Sequence, residues 1–194
     1  MEWDGLIRQT GTRLDAVFLK PDAEISSYTT ILLKPVDVQF ARNFDPNRGG
    51  RSAARRLSPA DIAGIQENVA ALFQDIFKEE LAAGGYKLVT EPGPDTLILI
   101  PAIIDLYVTA PDNMAPGRTR TYTANSGRMT LVAELRDSIT GETLARAVDT
   151  RSGRGTGTFM VTNSVTNSAD ARRAIRIWAQ SIRNGLDSLY KGER

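Results

Sequence analysis

The stretch that most constrains this chain is Thr96-Leu-Ile-Leu-Ile-Pro-Ala-Ile-Ile-Asp-Leu-Tyr-Val-Thr109. It is almost continuously apolar and rich in β-branched residues, with no three- or four-residue period, so it reads as a strand covered on both faces. A run of about 14 residues is too short to cross a bilayer as a helix, which takes roughly 20. Pro101 lacks the amide proton a ladder needs, so an edge position, a bulge or a bend that splits the strand is expected there. Asp105 is the acid whose surroundings are most unusual; it either faces solvent, pairs with an arginine or is perturbed by the apolar strand around it.

From Arg128 the pattern changes to period two. Met129, Leu131, Ala133 and Leu135 share one face, and Thr130, Val132, Glu134 and Arg136 share the wetter one. Asp137-Ser-Ile-Thr-Gly-Glu142 then reads as a type I turn closed by Gly141 at positive φ, with Thr143 to Asp149 returning antiparallel.

On either side of this hairpin in sequence stands an amphipathic helix. Ser58-Pro-Ala-Asp61 combines an N-cap hydroxyl, proline at the first helical position and an acid in the first turn. The helix is expected to run to about Ala83, where Gly84-Gly85 ends it. Ile62, Ile65, Val69, Leu72, Phe73, Ile76, Phe77 and Leu81 form its apolar stripe. In the last helix the stripe is Ala171, Ala174, Ile175, Trp178, Ile182, Leu186 and Leu189, and Asn167 or Ser168 is the expected cap.

Ahead of these elements, Leu14 to Leu19 reads as a short strand. Tyr28 to Phe40 is a strand broken at Pro35, and Tyr86 to Thr90 is another short one. Strand, helix, strand across residues 29–90 makes a βαβ unit if the two strands are parallel neighbours. The expected architecture is a single α+β domain: a mixed, mostly antiparallel sheet of about five strands with two long amphipathic helices on one face. Residues 1–28 are expected as an extended N-terminal arm and 29–194 as the domain. With 194 residues, 41% of them hydrophobic, the chain is long enough to hide about 70% of its unfolded surface.

The chain has no histidine and no cysteine. Zinc sites of the usual kind, iron–sulfur clusters, disulfides, Ser-His-Asp triads and cysteine nucleophiles are therefore excluded. No G-x-S-x-G, H-E-x-x-H or Walker motif is present, and no cofactor is expected. A formal net charge of +1 advertises no nucleic-acid partner. Met1-Glu-Trp-Asp4 lacks the basic and apolar regions of a signal peptide, so neither a leader nor a membrane helix is expected within it.

Three polar stretches remain as candidate surfaces. Ala41 to Leu57 carries Arg42, Arg48, Arg51, Arg55 and Arg56. It reads as a phosphate-binding arm or, since no aromatic beyond Phe44 interleaves the arginines, as a solvated loop. Ala110 to Gly127 is too long and polar for a plain connection. Arg151 to Asn167 is glycine- and threonine-rich, without the spacing of a phosphate cradle. The candidate partner surface is Arg118, Arg120, Tyr122 and Asn125 on the first of these two long loops, with Arg151, Arg154, Phe159, Asn163 and Asn167 on the second.

An ordered set of short motifs carries a family likeness over nearly the whole chain. It includes Leu32-Leu-Lys-Pro-Val36, Gly85-Tyr86, Pro92-Gly-Pro-Asp95, Ala110-Pro-Asp112, Arg118-Thr-Arg-Thr-Tyr122, Glu134-Leu-Arg-Asp-Ser138, Asn163-Ser-Val-Thr-Asn167 and Trp178-Ala179. In these the chain resembles the domain of unknown function 3313 family of predicted bacterial lipoproteins. The resemblance implies a domain held in the periplasm or at the outer membrane by a lipid on a lipobox cysteine, a residue this sequence does not contain. It implies no established activity.

The expected function is a non-enzymatic binding or scaffold module that contacts an envelope protein or a cell-wall component. A small-ligand or lipid-binding module is the first alternative and a carboxylate-based hydrolase the second. A homo-oligomer through the same loops stays open.

Overall fold

The computed structural model describes residues 2–45, 58–107, 128–152 and 164–190. In chain order the elements are β1 (Glu2–Trp3), β2 (Leu6–Gln9), β3 (Ala16–Leu19), β4 (Thr30–Leu33), β5 (Asp37–Phe40), α1 (Pro59–Ala83), β6 (Lys87–Leu88), β7 (Thr96–Leu106), β8 (Arg128–Asp137), β9 (Thr143–Ser152) and α2 (Ser164–Tyr190). A single turn of 3-10 helix, Ile25–Ser27, precedes β4. The strands form one sheet in the order β1-β2-β3-β9-β8-β7-β4-β6, and β5 also pairs with β7. β4 pairs parallel with both β6 and β7, and β5 pairs parallel with β7; every other pairing is antiparallel. This is the expected α+β domain with a mixed, mostly antiparallel sheet. The sheet has nine strands rather than about five because two- and four-residue strands leave almost no periodicity to read.

α1 begins and ends where its signals place it. The Ser58 hydroxyl accepts from the Asp61 amide (3.2 Å), and the Asp61 carboxylate accepts from the Ser58 amide (2.8 Å), a reciprocal cap that satisfies two otherwise orphaned donors. α2 starts at Ser164, so Asn167 lies inside its first turn rather than at a cap. Several residues from Ser164 to Ser168 are suited to begin a helix, and pattern alone does not choose among them.

Pro101 does not split β7, which runs unbroken for 11 residues. The break falls on the neighbour instead. β4 pairs with residues 96–99 and β5 with residues from 102 on, and Lys34-Pro35-Val36 lie between the two strands. The Lys34 amide donates to the Leu99 carbonyl (2.9 Å), so in a parallel ladder the next bond would run from the amide of residue 101 to the Lys34 carbonyl. Proline cannot supply it. Gln74 Nε2, from α1, donates to that carbonyl instead (2.8 Å), and Gln66 Nε2, two turns earlier, donates to the Val38 carbonyl (2.5 Å). Two glutamine side chains thus tie α1 to the interrupted edge.

Asp105 has φ +54°. Val38 pairs with Ile103 while Phe40 pairs with Leu106, so β7 carries one extra residue there. Ile104 pairs with Thr130, yet the Tyr107 amide donates to the Arg128 carbonyl, so β7 has the same one-residue excess against β8. Asp105 is this bulge residue, and its distinction is conformational: aspartate is one of the few residues that tolerate the left-handed region.

The main core lies between the helices and one sheet face, joining Ile65, Phe73, Ile76 and Phe77 of α1 and Ile175, Trp178 and Ile182 of α2 to Leu97, Leu99, Ile103 and Leu131. The helices are also linked by charge, with Glu80 facing Arg183 (3.3 Å) and Arg176 (3.8 Å).

Candidate functional site

Register determines what the helices meet on the sheet. Two rows of side chains cross the buried face from β7 to β2. One runs Leu99, Leu135, Ala145, Leu19, Ile7; the other runs Pro101, Ala133, Ala147, Val17, Gln9. Exposure along the first row is 1% at Leu99, 8% at Leu135 and 7% at Ala145, and it reaches 52% at Ile7. The side chains shrink to alanine where α2 passes over β8 and β9, and a cleft of about 800 Å³ opens between them.

One wall of the cleft is the second half of α2, which turns Ser181, Asn184, Gly185 and Ser188 toward it. That half of the helix is held at several points. The Tyr86 hydroxyl donates to Asp187 (2.6 Å), and the Tyr190 hydroxyl donates to the Tyr28 carbonyl (2.5 Å). Burial, then the Asp187 carboxylate, pushes the Tyr86 hydroxyl well above the ordinary tyrosine range. Tyr28 donates to Asp137 (2.8 Å) and is pushed up to about 12 by burial and that carboxylate. Asp137 is held down to about 2 by the Thr140 amide first and then by the Tyr28 hydroxyl.

A polar cluster lies where β3 begins. Asp149 is buried, at 1% exposure, yet it lacks no partner. It accepts from the Asp15 amide (3.0 Å), from Trp178 Nε1 (2.8 Å) and from Arg151 Nε (2.5 Å). The arginine also neutralises it, which is what a buried carboxylate requires. Arg151 Nη2 reaches the Arg13 carbonyl (3.4 Å). Asp15 accepts in return from the Thr150 amide (2.8 Å). Trp178 and Arg151 therefore lock β3 to β9 and to α2.

Of the residues singled out from sequence, Arg151 belongs to this locking cluster, and Asn167 falls in the first turn of α2. Arg118, Arg120, Tyr122, Asn125, Arg154, Phe159 and Asn163 lie outside the described residues, as does the loop from 46 to 57. No local pattern in the sequence marks the cleft. Its signal in the sequence is Ala133, Ala145 and Ala147 on inward positions of long strands, which means missing volume only once the pairing register is known. Among the described residues no group of three or more acids is placed to hold a metal ion, and no helix is long and apolar enough to cross a membrane.

An α+β domain with a half-covered sheet and an apolar cleft beside its last helix is the class that fold and site define. The chain belongs to the DUF3313 family, described as a protein of unknown function, which matches it over residues 2–182. No curated protein matches it. Solved structures to which it is similar include the PelC dodecamer from Paraburkholderia phytofirmans, at 12% identity and a TM-score of 0.41, with 86% of this chain and 96% of that chain covered. A minor lipoprotein from Acinetobacter baumannii is 15% identical, with a TM-score of 0.36 and coverage of 85% and 94%. A DUF4136 family protein from Bacteroides thetaiotaomicron is 12% identical, with a TM-score of 0.41 and coverage of 93% and 98%.

Proposed function

We propose that this chain is a non-enzymatic binding module of the bacterial cell envelope, and that its binding element is the cleft between α2 and the β9-β3-β2 half of the sheet. The observation that carries the reading is the alanine floor: Ala133, Ala145 and Ala147 withdraw side-chain volume at three register-matched positions and leave a concave, largely apolar cleft of about 800 Å³. Small-molecule sites are of this size, largely apolar and lined by a few polar groups. Here those groups are Ser181, Asn184 and Ser188 on the helix and Gln9 and Thr12 on the sheet side.

The absence of catalysis is part of the proposal. Asp22 is the only acid lining the cleft among the described residues, whereas a two-carboxylate hydrolase needs a second acid facing the same substrate. The envelope location rests on the family resemblance drawn from the sequence motifs.

The test is the neutral fluorophore N-phenyl-1-naphthylamine, titrated into the wild-type protein and into Ala147→Phe. Saturable binding by the wild type and its loss in a variant with unchanged circular dichroism are expected. Equal binding by the two folded proteins would place the apolar site elsewhere and sink the reading.

A further inference from the structure

The two ends of the cleft differ in charge, and the geometry points to a single-chain fatty acid as its ligand, with the chain over Ala145 and Ala147 and the carboxylate at Arg13. This inference rests on the cleft being the binding element. The cleft follows β3, with Arg13 ahead of the strand and Lys20 and Asp22 after it.

At the Lys20 end, the ammonium is already paired with Glu142 (2.6 Å), and Asp22 adds an acid with no ion pair among the described residues. At the Arg13 end, Arg151 cancels Asp149. Arg8 bonds the Asp15 backbone carbonyl (3.1 Å) rather than its carboxylate, so by count Arg8, Arg13 and Arg151 stand there against Asp15 and Asp149. Arg13 is then the surplus cation: it is exposed, it lines the cleft, and its guanidinium has no partner among the described residues.

An elongated apolar floor with one unpaired guanidinium at one end and net negative charge at the other complements a molecule with one anionic head and one hydrocarbon tail. A cationic head would be repelled at Arg13 and, bound in reverse, would meet the Lys20 ammonium beside Asp22, and a neutral one would gain nothing at either end. Guanidinium suits the task, since its planar fork can bond both carboxylate oxygens.

The experiment displaces bound N-phenyl-1-naphthylamine from the intact protein with dodecanoate, dodecan-1-ol or dodecyltrimethylammonium, each below its critical micelle concentration. In the wild type dodecanoate should compete about three- to five-fold better than the alcohol, the gain an exposed ion pair brings. The preference should vanish in Arg13→Gln, return in Arg13→Lys, and fade in high salt. Equal competition by acid and alcohol, or a stronger cation, overturns the headgroup assignment while leaving the cleft in place. A fluorophore that binds but is displaced by none of the three overturns the fatty-acid ligand, and one that never binds overturns the cleft with it.

Discussion

Beneath α1 and α2, the sheet presents Leu97, Leu99, Ile103 and Leu131 to Phe73, Phe77 and Trp178, and all seven are at most 1% exposed. Past β8, the same rows of the same face continue through Ala145 and Ala147 to Leu19, Val17 and a half-exposed Ile7. The alternation that points these side chains inward is identical in the two halves. Only side-chain size and the cover above differ, and that is enough to make one half a packed core and the other the floor of a cleft. Core and cleft floor are therefore neighbouring stretches of a single face, and a change of a few methyl groups decides which is which.

Truncating one large residue on each side separates the two halves most sharply. Phe73→Ala should destabilise the protein by about 3–5 kcal/mol, because the closely packed site cannot collapse around the void; Phe73 stacks on Phe77 with centroids 3.9 Å apart. Val17→Ala, on a floor that is already open, should cost less than about 1 kcal/mol. Denaturant midpoints measure both. Similar losses at the two positions would mean that the cleft half is packed like the core.

At the boundary between the halves, Trp178→Phe keeps most of the apolar volume but removes the indole donor from Asp149. The expected loss is about 1–3 kcal/mol, the cost of taking one partner from a buried acceptor, read from the same denaturation curves. A neutral result would show that Arg151 and the Asp15 amide suffice for that carboxylate.

A smaller effect concerns the hairpin that joins β8, under the helices, to β9, beside the cleft. Asp137 is held at about 2, below its ordinary 3.8. A depressed folded-state value gives stability that is fully present above the ordinary value and is lost as pH falls from about 4 toward 2. Asp137→Asn should lower the melting temperature at pH 7 and flatten its fall across that window. A melting curve that keeps the full wild-type slope below pH 4 would assign the acid lability to other carboxylates.

How much of this could be read in advance follows from how local each signal is. The ends of α1 and the Gly141 turn at φ +72° are set by residues within a few positions of one another, and both were legible. Pro101 was legible as a conflict with the ladder. That the conflict would be met by a break in the neighbouring strand, with Gln74 supplying the missing donor, depends on a contact 40 residues away from Lys34. The cleft was illegible for the same reason: three alanines in two strands look unremarkable until the pairing aligns them with Val17 and Leu19 and sets a helix over them. Long polar loops often carry function, whereas the floor and helical wall of the cleft are regular elements and only its ends, at residues 10–14 and 20–23, are loops.

The central claim is that a ligand enters beside α2 and rests on the alanine floor. A methyl NMR titration with dodecanoate, on protein labelled at alanine and isoleucine methyls, tests it most directly. The account predicts saturable shifts at Ala133, Ala145 and Ala147, with Ile31, Ile76 and Ile103 unmoved in the packed half. Shifts confined to the packed half, or to methyls far from the cleft, would contradict it.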